Sequence, residues 1–213
     1  MKRIMMVLAL AAFAAAPAAA QWLGMPVWNS PKGGTGVTIN GDFGMPNANG
    51  GKGTAFGFRG SLGLANLQLT AGLSNWKPDG AAESFTSVGG NAAFRIIGGS
   101  LLPIALNLQV GAATTGAANA FPSQTRLTAG GGVAVSVPTP GISIEPYLSL
   151  TNRWYKFSGV SGTTSNFGWT IGANANFGML GFHVAYDSES IGGGSAGIIG
   201  IGAHIALKAP IGM

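Results

Sequence analysis

Leu102-Pro-Ile-Ala-Leu-Asn-Leu-Gln-Val-Gly-Ala112 alternates without a break. In an extended chain successive side chains point to opposite faces. Leu102, Ile104, Leu106, Leu108, Val110 and Ala112 then share one face, and Pro103, Ala105, Asn107, Gln109 and Gly111 share the other. Two-residue alternation over this length marks a strand and not a helix. One face is wholly apolar and the other is small or polar. A tilted strand needs roughly 9–11 residues to cross a bilayer, and this stretch is of that length.

Composition makes the same point for the whole chain. Charged residues are only 8% of the 213, while hydrophobic residues are 46%. A typical soluble protein carries about 25% charged residues. Past the N-terminus no apolar run approaches the roughly 20 residues of a membrane helix. A sheet closed on itself, with apolar residues facing lipid one by one, reconciles the two facts. The 37 glycines are spread through the strand candidates, which suits a tightly curved sheet and an interior with little side-chain volume. Disordered chains are poor in hydrophobic residues, so disorder does not explain them. The absence of Cys excludes a disulfide framework, a thiolate metal site and a lipid anchor on an N-terminal Cys. The net charge of +5 comes from isolated basic residues, not from the clustered patch that a nucleic-acid surface requires.

In chain order, residues 1–20 read as a cleaved secretory signal peptide. Lys2 and Arg3 form the basic head, Ile4 to Ala15 the apolar core, and Ala18-Ala19-Ala20 the small-residue site before Gln21. Residues 21–34 form a lead-in with Trp22, Pro26, Trp28 and Pro31, either a flexible periplasmic segment or a plug in the mouth of the barrel. The domain that follows, 35–213, offers ten strand candidates: 35–43, 54–64, 67–76, 84–96, 102–112, 124–137, 142–155, 165–177, 180–187 and 197–207. Pro146 is an irregularity in the seventh, because proline removes a ladder donor.

The connections carry an independent signal. Long ones, at 44–53, 77–83, 114–123, 156–164 and 188–196, alternate with short ones at 65–66, 98–101, 138–141 and 178–179. Bacterial barrels have short periplasmic turns and longer extracellular loops. Ten strands starting in the periplasm give this order. Phe43, Trp76, Phe85, Trp154, Tyr155, Phe167, Trp169 and Tyr186 fall near the long-loop side, and Phe94, Phe177 and Phe182 near the short-turn side. Two such groups match the aromatic girdles at membrane interfaces. The fold expected is therefore all-β: a transmembrane antiparallel up-and-down β-barrel of ten strands. A secreted soluble β-sandwich also alternates, but it does not account for the missing charge on the polar face.

The signal peptide, the loop rhythm and strands such as Gly181-Phe-His-Val-Ala-Tyr186 and Ile198-Ile-Gly-Ile-Gly-Ala-His-Ile-Ala-Leu207 resemble the small bacterial outer-membrane β-barrel proteins, in the manner of the porin-like and OmpA–OmpW-type barrels. The resemblance spans nearly the whole mature chain and is one of class, without a subfamily motif. It implies an outer-membrane location, a lipid surround and delivery by the outer-membrane assembly machinery. Such barrels often end on an aromatic residue. Here Leu207 is followed by Lys-Ala-Pro-Ile-Gly-Met, a departure from that rule.

On this register the inward polar and charged candidates are Arg59, Arg95, Asn107, Gln109, Arg126, Glu145, Arg153, His183, Asp187 and His204. Arg95, Glu145, His183 and His204 lie toward the short turns, where a Glu145–Arg95 pair would brace the barrel with the histidines hydrogen-bonded nearby, because a buried charge needs a partner. A proton-sensitive gate at the two histidines and a zinc site of two His and one Glu are weaker alternatives. Arg126, Arg153 and Asp187 lie toward the long loops, either as a mildly cationic mouth or as a rim salt bridge. No nucleophile, base and acid converge, so no enzyme is expected and no metal or cofactor is implied. The glycine runs 130–132 and 192–194 lack the Lys and the following helix of a phosphate loop.

Three functions are consistent with this reading. A narrow passive pore for small solutes, or a purely structural barrel, follows from the small and polar lumen face. A surface-loop adhesion protein is the second, although loops 44–53 and 114–123 carry few of the aromatic and Arg anchors that dominate interfaces. A conduit for hydrophobic solutes with a lateral exit at Pro103 and Pro146 is the third.

Overall fold

The computed structural model describes residues 22–98, 102–118 and 121–207. The expected signal peptide, 1–20, together with Gln21 and the segment 208–213 after Leu207, lies outside the described residues. Among the described residues eleven strands form one antiparallel sheet: β1 Gly36–Pro46, β2 Gly53–Leu64, β3 Leu67–Pro78, β4 Phe85–Ile97, β5 Ile104–Thr115, β6 Gln124–Val135, β7 Val137–Thr139, β8 Ile142–Phe157, β9 Thr164–Phe177, β10 Leu180–Ile191 and β11 Gly194–Leu207. Each long strand pairs with the next long strand in sequence, β6 pairing with β8 past the three-residue β7, which pairs with β8 alone, and β1 pairs with β11. The ring is thus closed by ten long strands in up-and-down order. Closure leaves no unpaired edge and excludes the open sandwich.

The pairing explains the irregular prolines. β6 pairs with β8 as far as Ala134 opposite Tyr147, and β7 takes over at Val137 opposite Ile144. Pro146 stands in the gap between the two pairings. On its other side the β8–β9 register runs unbroken from Ser143 to Tyr155, so the wall is continuous there. Pro103 precedes β5, outside the ladder. Pro146 therefore interrupts the ladder on the β6–β7 side alone, and Pro103 interrupts none.

The alternation places the apolar set on lipid. Phe58, Leu108, Val110, Ile171, Phe182 and Ile201 are all about half exposed on the outer wall. A bulge between Arg95 and Ile97 on β4 turns both Ile96 and Ile97 outward while Arg95 stays inside. Aromatic pairs sit at both rims: Trp169 with Tyr186 at 5.5 Å on the long-loop side, and Phe177 with Phe182 at 6.2 Å on the short-turn side. Three residues expected in the outer girdle face inward instead. Phe85 and Tyr155 are each 7% exposed, and Trp76 packs on Trp22, Met25 and Ala55. At that height the interior is filled by apolar contacts.

The expected long connection 188–196 is also corrected. β10 and β11 stay paired as far as Ile191 opposite Gly194. Gly192 and Gly193, at φ +44° and +94°, close the hairpin, a turn that needs positive φ at both positions.

Candidate functional site

The site is the lumen, and its contents begin before β1. Residues 22–34 run inside the barrel from the long-loop half to the short-turn end. Met25 and Val27 are 1% and 2% exposed. Ser74 on β3 donates to the Leu23 carbonyl at 2.8 Å. The Val27 amide donates to Asp187 on β10 at 3.4 Å. Trp28 meets the His183 ring edge-on at 4.5 Å and lies 5.2 Å from the Arg59 guanidinium carbon. Asn29 donates to Ser149 at 2.8 Å and exchanges hydrogen bonds with Asn107, while Asn174 donates to its carbonyl at 3.2 Å. Ser30 donates to Glu145 at 3.1 Å, and Arg95 donates to the Lys32 carbonyl. Of the two forms expected for this segment, it takes that of a plug.

The wall makes room for the plug by an arrangement of large side chains over glycines. A Cβ at Gly172 would lie 2.5 Å from the Tyr147 ring, one at Gly72 2.8 Å from the Arg59 side chain, and one at Gly168 2.6 Å from Arg153 Nε. His183 and His204 lie in the same way against Gly202 and Gly181. These five side chains lie across glycines of the neighbouring strand, which leaves the axis to the plug. This accounts for much of the glycine content in the lumen face.

Two charge networks stand at different heights. In the first, Arg59 donates from Nε and Nη2 to Asp42 at 2.6 and 2.9 Å, and His183 Nε2 lies 2.6 Å from the same carboxylate. His183 Nδ1 is 3.3 Å from His204 Nδ1, and His204 Nε2 is 2.8 Å from the Asn176 side-chain oxygen. In the second, nearer the long loops, Arg153 is wholly buried. It donates to both oxygens of Asp187 at 2.8 Å and to Glu189 at 3.0 Å. Thr170 donates to Asp187, Tyr155 donates to Glu189, and Asn166 donates to Glu189 at 2.7 Å. The Arg126 guanidinium stacks 4.6 Å from the Tyr155 ring centre.

These placements correct one expectation. Glu145 and Arg95 do not pair with each other. Glu145 accepts from Ser30 and from Asn174 at 3.0 Å, while Arg95 donates to Asn66 at 2.7 Å and to the Lys32 carbonyl. The plug supplies partners to both and stands in for the ion pair. Of the two forms expected on the long-loop side, a cationic mouth or a salt bridge, Arg153 and Asp187 take the salt bridge, with Glu189 as a second carboxylate on Arg153. Asn107 faces the plug at Asn29, and Gln109 accepts from Asn91 at 3.5 Å. Asp42 and Glu189 complete the two networks and were not among the expected inward charges. The parity of Asn40 and Asp42 on β1 was the available signal for the first. No group of three metal-type ligands converges among the described residues.

Below and beside the plug a polar cavity of about 500 Å³ reaches the short-turn end, lined by Asn40, Ser61, Thr70, Asn91 and Asn176 among others.

No protein-family model matches the chain, and no curated protein sequence does. Among solved structures it is similar to the β-domain of the Bordetella autotransporter BrkA, at TM-score 0.50 and 13% identity over 83% of this chain and 100% of that one. Neisserial surface protein A matches at 0.41 and 12% over 81% and 98%, and the N-terminal barrel domain of Pseudomonas aeruginosa OprF at 0.38 and 12% over 82% and 99%. With its closed ring and apolar outer belt, the chain has the outer-membrane β-barrel fold.

Proposed function

We propose that this protein is a self-plugged outer-membrane conduit for small polar solutes, closed at rest by its own residues 22–34. The observation that carries the reading is the position of that segment: it is buried in the lumen and hydrogen-bonded to β3, β5, β8, β9 and β10. The polar cavity beneath it supports a water-filled path that the plug interrupts. Delivery by the signal peptide, insertion by the outer-membrane assembly machinery and a lipid surround complete the reading. The role is non-catalytic: His183, Asp42 and Arg59 are taken up by one another.

Planar-bilayer recordings test it. The intact mature chain gives at most brief openings, and deletion of residues 22–31 gives steady conductance in a barrel that still resists unboiled detergent gels. Should the deletion prevent folding, Trp28→Gly and Met25→Gly loosen the plug in place and raise open probability. Steady conductance in the intact chain, equal to that of the loosened forms, overturns the plug. Silence in all forms overturns the conduit.

A further inference from the structure

A second cavity lies above the plug, at the long-loop mouth, and has different chemistry. Its volume is about 550 Å³, within the usual range of small-molecule sites. The floor is Leu23 of the plug, fixed through its carbonyl by Ser74. The walls are aromatic. Trp76 and Phe85 stand 5.5 Å apart, Phe121 meets Phe85 edge-on at 5.9 Å, and Phe157 closes another side. Phe121, in the connection between β5 and β6, is 66% exposed. Its backbone exchanges two hydrogen bonds with Ala118, which hold the ring over the cavity.

The charge pattern states what fits. Among the described lining residues there is no Lys or Arg, and the one acid, Asp79, is bridged to Lys52 at 3.3 Å. Nothing there neutralises an anion, and the cation partner of the one carboxylate is already present. An apolar enclosure without a counter-charge rejects ions by desolvation. Aromatic walls favour a ring-containing guest through offset and edge-to-face contacts.

We propose that this cavity is a binding site for neutral, predominantly apolar, ring-containing small molecules arriving from the outside. The site stands on the loop-side walls and on Leu23. It does not depend on whether the lumen conducts.

The test uses the full mature protein in lipid nanodiscs, with bromobenzene as a heavy-atom quencher of tryptophan fluorescence. Lipid-facing Trp169 gives quenching that rises linearly as bromobenzene partitions into lipid. Binding at the cavity adds a saturable component reported by Trp76, which disappears in Trp76→Phe. Ala81→Phe, which fills the cavity, and Phe121→Asp, which puts a charge on its wall, each weaken the saturable component by about tenfold or more, the ratio equivalent to about 1.4 kcal/mol. Both substitutions lie outside the long strands, and an unchanged heat-dependent gel shift verifies the barrel. Toluene competes and benzoate does not. Purely linear quenching, a saturable component that survives both substitutions, or equal competition by benzoate overturns the proposal. Cross-linking to a dimer with Trp76 shielded from bromobenzene assigns the cavity to a second copy of the chain and overturns it as well.

Discussion

Arg153 has no exposed surface, yet its guanidinium satisfies two carboxylates that are themselves almost wholly buried. Such a network is worth little against an apolar replacement of the whole set, but removing one partner leaves stranded charge. Arg153→Ala should therefore cost about 3–5 kcal/mol in urea unfolding followed by tryptophan fluorescence. A loss below about 1 kcal/mol would mean that water reaches Asp187 and Glu189 freely. Glycines divide by face in the same spirit. Gly172→Ala forces its methyl into the Tyr147 ring and should cost about 1–3 kcal/mol by overpacking. Gly60→Ala meets nothing within 4 Å and should be neutral or slightly stabilising, since alanine loses less backbone freedom on folding. Equal effects at the two positions, read from the same unfolding curves, would contradict the placement of side chains over glycines.

At the scale of the element, the plug is held at its base by close backbone approach: a Cβ on Gly63 would run into the Gly34 carbonyl. Gly63→Val should push residues 22–34 out of register and expose them to protease in detergent, with the strands still protected. Cleavage no faster than in the parent protein would show that the base of the plug yields without leaving. The strands were legible because alternation depends on parity alone, and parity is local; β2, β6 and β9 begin within one residue of the expected positions. The lumen partners were less legible. Whether Glu145 meets Arg95 or Ser30 depends on strand stagger and on what else occupies the axis, and neither is written in one strand. The plug showed itself only as two tryptophans among prolines without alternation, a pattern that equally describes a tether. Gly192-Gly193 reads from sequence as part of a long loop because its turn chemistry is hidden within a longer run of small residues.

For the whole molecule the deciding environment is lipid. Val110 is 53% exposed at the middle of β5 and Leu180 is 56% exposed beside the short turn after β9. Arginine on the lipid face costs about 2–4 kcal/mol at the midplane and about 0–1 near the interface. Val110→Arg should therefore destabilise far more than Leu180→Arg when both are unfolded from vesicles; equal penalties would place the belt elsewhere. The intact protein should also run at a different position on detergent gels when unboiled, with a β-type circular dichroism spectrum, and the shift should vanish on boiling. The seam of the ring joins β1 to β11, the two extremes of the strand order. Until the last strand is delivered the wall is an open trough, and the segment destined for its centre is already attached to the rim. It can be laid in from the side, and no end of the chain has to be threaded through a finished tube.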